Sequence, residues 1–180
     1  MHDILIDLGN NAKLYRNNEL VLEDKTINMD SITYQDIKQL LKTIKKRVFN
    51  SRIKLMVLNK ENINLPRKIK VYNKQELTLL KNNIDINKSS ATTIIYLDDN
   101  LMNISVYALG KMIFTKTINK RSKNNIKKII ESFNEEVLSS IKEKGIILTG
   151  NVSLDNMYKE LRKEVSIPIF KVDNYINIKN

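Results

Sequence analysis

Apolar and polar residues alternate along two long stretches of the chain, and each alternation gives way to a helical period. In residues 4–59 the runs ILIDLG, AKLYR and ELVLED precede an amphipathic stretch from Thr33 to about Phe49, and the apolar run KLMVLN follows it. In residues 93–150 the order recurs as TIIYLDD, MNISVYA and KMIFTKT, then an amphipathic stretch from Ser122 to about Lys142, then GIILTG. A period of two predicts half-buried strands, and a spacing of three to four predicts helix. Each half therefore reads strand, strand, strand, helix, strand. Asp7 and Asp98 end the first strand of each copy, 91 residues apart, and the helix openings Thr33 and Ser122 lie 89 apart. Similar spacings of corresponding features mark an internal repeat.

The helical stretches carry clear inward stripes. Ile37, Leu40, Leu41, Ile44 and Val48 recur at helical spacing in the first, and Ile126, Ile129, Ile130, Phe133, Val137 and Ile141 in the second. Thr33 and Ser122 are placed to cap the two helix starts. Arg16-Asn17-Asn18-Glu19 and Ala108-Leu109-Gly110-Lys111 join the second and third strands, because asparagine and glycine tolerate the positive φ of tight hairpins. Beyond Asn59, Pro66 and a polar run mark a connection. KIKVYN then reads as a strand, QELTLLKNN as a short helix and NNIDINKSS as the linker between halves. This puts the domains at 1–88 and 89–180. A helix over Leu154 to Glu164 and a strand at IPIFKV complete the second half.

Composition narrows the classes. The 180 residues are 42% hydrophobic, enough for one substantial core or two small ones. No apolar run approaches the roughly 20 residues that cross a bilayer, and the start has no signal-peptide pattern, so the expectation is a cytoplasmic protein without direct membrane insertion. With no cysteine and a single histidine, His2, thiolate sites and histidine clusters are excluded; His2 itself reads as solvated. The net charge of +11 would attract phosphate backbones. Its spread is even, however: 17 basic and 10 acidic residues in 1–90, 14 and 10 in 91–180. The densest group, Lys42, Lys45, Lys46, Arg47, Arg52 and Lys54, falls mostly off the apolar stripe, so it reads as a solvated face and nucleic acid is not an expected partner.

The duplicated unit, with DLG ending the first strand, NISVYALGKMIFTKTI in the second copy and ILTG followed by a helix and IPIF, resembles the actin-like ATPase superfamily. The second half is most similar to PilM-type proteins of type IV pilus assembly. The resemblance covers nearly the whole chain in shortened form. It implies an α/β protein with a duplicated ribonuclease-H-like (actin-like) fold, two mixed sheets flanked by helices, without extra subdomains.

In that superfamily two hairpin loops of small residues approach nucleotide phosphates from opposite sides, with an acidic residue helping to hold the metal. Carried over position by position, the resemblance offers Asp7, Gly9, Asn10 and Lys13 in the first loop, Asp98 in the second, and Gly150 and Asn151 in the third, with Asp7 the metal candidate. The departures are specific. Asn10 and Asn11 stand where serine or threonine is usual. Only Asn100, Leu101 and Met102 separate TIIYLDD from NISV, where a longer glycine-bearing loop is usual, and Val152 stands at the last helix entrance, with Ser153 left to cap it. The segment that presents the hydrolytic residue has no clear counterpart. Read from the residues alone, Asp7 and Asp98 end strands and hydrogen-bond hairpin amides.

The expectation is thus a non-catalytic, PilM-like cytoplasmic adaptor for an inner-membrane assembly such as a type IV pilus or related secretion machine. No cofactor is expected. Its partner would be a cytoplasmic segment of a membrane protein, holding it peripherally at the inner face of the membrane, and homo-oligomerisation is left open. The first alternative is a minimal ATP- and Mg-binding actin-like protein in filament formation, cell division or plasmid segregation. The second is a basic ribonuclease-H-like nucleic-acid-binding protein. Nuclease chemistry would need converging carboxylates, and KLMVLN ends in Asn59 where an acid would serve.

Overall fold

A computed structural model describes residues 2–9, 11–27, 32–61, 63–119 and 125–175. The chain divides into two units, Met1–Lys74 and Gln75–Asn180. Asn10 and Ser122, named above as loop and cap candidates, lie outside the described residues.

The first unit comprises β1 (His2–Leu8), β2 (Ala12–Arg16), β3 (Glu19–Asp24), α1 (Tyr34–Thr43), β4 (Ser51–Val57) and β5 (Ile69–Asn73). Its sheet runs β3-β2-β1-β4-β5. The first three strands are antiparallel neighbours, while β4 and β5 add in parallel on the other side of β1. The period of two is visible in β1, where Ile4, Ile6 and Leu8 enter the core with Leu14, Ile53 and Leu55. Helix α1 closes that core with Ile37, Leu40 and Leu41. Thr33 caps it as expected, in a reciprocal box with Asp36. The helix is shorter than the stripe predicts. Lys45 takes a φ of +53°, and the Lys46 N–H donates to the Leu41 carbonyl at 2.8 Å, ending α1 before a separate 3-10 turn at Val48–Asn50. Val48 still reaches the core.

Helix α2 (Lys74–Lys81) begins on the last residue of the first unit, and the second unit takes the rest of it and continues through β6 (Thr92–Leu97), β7 (Leu101–Ala108) and β8 (Lys111–Asn119). Helices α3 (Asn125–Glu131) and α4 (Glu135–Lys144), strand β9 (Ile146–Gly150), helix α5 (Asp155–Glu164) and strand β10 (Ile169–Lys171) follow. The sheet order β10-β9-β6-β7-β8 repeats that of the first unit. One face carries the main core, built from Ile95, Ile104 and Val106 with Ile129, Ile141 and Leu161. On the other face Leu79 of α2 and Ile86 pack on Ile94 and Tyr107. The amphipathic stretch expected as one helix is two. Asn134 accepts the Val137 N–H at 2.9 Å and starts α4 afresh. α5 is capped at Leu154 without a side-chain bond, so Ser153 does not serve as its cap.

Both hairpins form as read, with φ of +50° and +66° at Asn17 and Asn18, and +52° and +73° at Leu109 and Gly110. The stretch expected as the linker is tied into the second unit. The Leu109 and Gly110 N–H groups donate to the carbonyls of Lys88 and Ile86, each at 2.9 Å. Two mixed five-stranded sheets of identical topology, flanked by helices, make this a duplicated actin-like, ribonuclease-H-like fold. Among the described residues no helix is long and apolar enough to cross a membrane.

Candidate functional site

Asp7 is on β1 with its side chain turned away from the α1 core, in register with Lys13 of β2 and Met56 of β4. Although 2% exposed, it remains in an ion pair: Lys74 Nζ lies 2.5 Å from its Oδ1. Lys74 is itself fully buried. It follows β5 immediately and is the first residue of α2. The first unit therefore holds a carboxylate and an ammonium ion out of water, each compensating the other's desolvation. Lys13 faces Asp7 across the antiparallel pair, and opposite positions share a sheet face. The Gly9 N–H donates to the Asn11 carbonyl at 3.2 Å, turning the chain between β1 and β2.

The corresponding hairpin of the second unit is tighter than its sequence suggests. Strand β7 begins one residue before the run MNISVYA, at Leu101, and only Asp99 and Asn100 make the turn. Asp98 and Leu101 exchange both backbone bonds, at 2.9 and 3.1 Å. The Asp98 carboxylate accepts the Asp99 N–H at 3.0 Å and the Asn151 amide at 3.3 Å. Asn151 is held from three further directions: its Oδ1 accepts from the Tyr96 hydroxyl at 2.6 Å and from Asn174 at 2.8 Å, and its N–H donates to the Leu97 carbonyl at 2.9 Å. Gly150 lies beside them at the end of β9, its carbonyl accepting from Asn174 at 2.9 Å. The structure thus gathers Asp98, Gly150 and Asn151 into one hydrogen-bonded cluster within the second unit, and sets Asp7 opposite Lys13 within the first.

A second polar network fixes the NISV motif. Asn103 and Ser105 point to the face opposite the main core and are fully buried. Gln75 Nε2 donates to Asn103 Oδ1 at 2.6 Å, and Asn103 Nδ2 donates to Thr115 and Thr117 at 2.9 and 3.0 Å. Lys74 and Gln75 were not among the residues singled out from sequence. The available signal was α2's inner stripe: Lys74, Gln75, Thr78 and Leu79 recur at helical spacing, and all four are fully buried. Polar side chains in three of those places disguise the stripe as surface.

Among the described residues no three carboxylate or imidazole groups come together as a metal-ligand set. The dense basic group is solvated as read: Lys42, Lys45, Arg47, Arg52 and Lys54 are exposed. Lys46 differs, reaching His2 with Nζ 3.0 Å from Nε2. His2 is accordingly not merely solvated, and the Lys46 charge, followed by desolvation and the Arg16 charge, lowers its pKa below 6.5. The unfolded chain then binds more protons at His2, so this contribution to stability is present above pH 6.5 and is lost as pH falls below it. An NMR titration should place His2 below 6.5, and Lys46→Gln should move it back up.

The duplicated sheet and its paired acidic strand ends define an actin-like protein fold. Among solved structures, the chain is similar to MreB5 of Spiroplasma citri bound to ADP, at 12% identity and a TM-score of 0.66, over 98% of this chain and 93% of that one. The AMPPNP-bound form of MreB5 gives 12% identity and a TM-score of 0.58, covering 96% and 91%. The AlfA filament bound to AMPPNP gives 13% and 0.51, covering 94% and 88%. At such identities the likeness is one of fold. No family model and no curated protein matches the sequence.

Proposed function

We propose that this chain is a non-catalytic actin-like scaffold whose acidic strand ends maintain its structure instead of holding a magnesium nucleotide. The observation that carries this reading is the buried Lys74–Asp7 pair: the chain supplies its own cation to the carboxylate that the resemblance assigns to a metal. The β6–β7 turn supports it, since two residues closed by reciprocal Asp98–Leu101 bonds leave no loop of free amides for a phosphate. The residues at these positions therefore do not fit Mg-ATP in the superfamily's manner, and we assign no hydrolytic step.

In this reading the protein works through its surfaces, as a cytoplasmic adaptor for an inner-membrane assembly of the PilM type. The motifs NISV, KMIFTKTI and ILTG carry that part of the proposal. A second reading, a minimal nucleotide-binding filament protein, draws on the likeness to nucleotide-bound MreB5 and AlfA and on the retained Asp7, Gly9 and Lys13.

One experiment separates the two. A ligand that binds only the native state raises its melting temperature with concentration. Thermal unfolding in millimolar Mg-ATP or Mg-ADP should show no shift in the folded protein. A rise of several degrees, lost in Lys13→Ala, would replace the scaffold reading with the nucleotide-binding one.

A further inference from the structure

The two sheets end on equivalent strands, β3 in the first unit and β8 in the second, and among the described residues neither has a hydrogen-bonded neighbour on its outer side. Such edges are templates for another strand unless they are blunted. Each contains one bulge at the same point of the repeat, leaving Val21 extra in β3 and Ile113 extra in β8. Both side chains are exposed, at 43% and 54%.

An extra residue shifts the side-chain alternation by one, so residues five apart come to share a face. The observed registers show this. Glu19 and Asp24 lie opposite Arg16 and Ala12, on the same face as Leu14; Lys111 and Lys116 lie opposite Ala108 and Ile104, on the same face as Val106. Both faces are the ones that carry the main cores. Glu19 and Asp24 are acidic where the equivalent positions of the second copy, Lys111 and Lys116, are basic.

We propose that β3 of one copy of this chain adds in antiparallel fashion to β8 of a second copy. Glu19 then meets Lys116, Asp24 meets Lys111, and the half-buried Leu22 and Phe114 meet between them, all on the core-bearing face. The bulges fall one rung apart, so the pairing keeps every side chain on its proper face. Glu19 also faces Arg16 across its own hairpin, whereas β7 presents no acid to the lysines of β8. Antiparallel pairing is the more stable ladder per residue, and pairing β3 with β3 or β8 with β8 would set like charges opposite each other. The contact is therefore heterologous, joining two different edges, and builds a closed ring of two or more copies or an open chain. Six residues on each side fall well below the roughly 1,200 Å² of a standard interface, so single contacts are weak, and exposed charges make them salt-sensitive. This inference stands apart from the nucleotide reading.

The test is sedimentation velocity on the full chain across a concentration series without nucleotide, at low and high salt. It compares the wild type with Glu19→Lys/Asp24→Lys and Lys111→Glu/Lys116→Glu, each confirmed folded by circular dichroism. The wild type should gain mass with concentration, and less so in high salt. Each variant alone should associate about tenfold or more weakly, and an equimolar mixture should recover the wild-type behaviour, because each variant restores the other's complementary edge. A wild type that stays monomeric, association indifferent to both reversals, or a mixture that fails to recover would overturn the proposal.

Discussion

Replacing Lys74 by methionine is expected to cost about 3–5 kcal/mol of folding stability, the range for breaking a buried ion pair from one side. The reasoning starts from burial. Asp7 is 2% exposed and Lys74 fully buried, with Nζ 2.5 Å from the carboxylate. Methionine preserves most of the volume but removes the ammonium group paired with the buried carboxylate. Asp7→Asn removes the charge paired with the buried ammonium group and should cost a similar amount. The double variant Asp7→Asn/Lys74→Met removes both charges, and its stability should return to within about 1 kcal/mol of the wild type, since replacing a whole buried pair is often neutral. Urea unfolding of the four proteins closes the cycle and isolates the coupling. A coupling below about 1 kcal/mol, typical of exposed pairs, would show that Lys74 does not serve as the counter-ion of Asp7. The same variants bear on function: Mg²⁺ restoring stability to Lys74→Met alone would show that the lysine stands in for a divalent cation at this strand end.

The sequence pattern revealed the duplicated layout because its signals are local. Ile4, Ile6 and Leu8 alternate, Ile37, Leu40 and Leu41 recur on one helical face, and Asn17-Asn18 and Leu109-Gly110 adopt the positive φ that their hairpins require. Boundaries were less legible where a stripe outlasts its helix. Ile126 to Ile141 keeps helical spacing across Ser132–Asn134, yet Asn134 starts a new helix by accepting a backbone amide. Val48 continues the α1 stripe from a separate 3-10 turn, because the left-handed Lys45 has already ended the helix.

The candidate site was legible in its carboxylates but not in their partners. Asp7 and Asp98 could be named from strand ends, whereas Lys74 lies 67 positions beyond Asp7 and Asn151 and Asn174 meet Asp98 or one another only through the parallel additions to β6. Long-range pairings of this kind leave no local period. The buried Gln75–Asn103–Ser105 network shows the same limit: each residue is individually ordinary for a surface, and together they hydrogen-bond to one another beneath it.

Gly150→Ala is the second change with a large expected effect, about 3 kcal/mol or more of lost stability. Gly150 ends β9 in parallel register with Leu97 of β6. A Cβ built there would stand 2.1 Å from the Leu97 carbonyl oxygen and 2.8 Å from both its carbonyl carbon and its Cβ. Those are largely backbone atoms of a central strand, and they cannot swing aside as a flexible side chain could. The φ of +155° adds strain for any residue with a side chain. Relief would require β9 to move away from β6, and the Asn151 N–H would then lose the Leu97 carbonyl while Asn174 lost the Gly150 carbonyl. The loss should therefore exceed that of one overpacked methyl group and should include the hydrogen bonds that hold the Asp98–Asn151 cluster. Urea unfolding measures the total, and hydrogen exchange at the Asn151 amide locates it. If Gly150→Ala unfolds within about 0.5 kcal/mol of the wild type, the close approach of β9 to β6 is wrong, and Gly150 is free to have been kept for a ligand's sake.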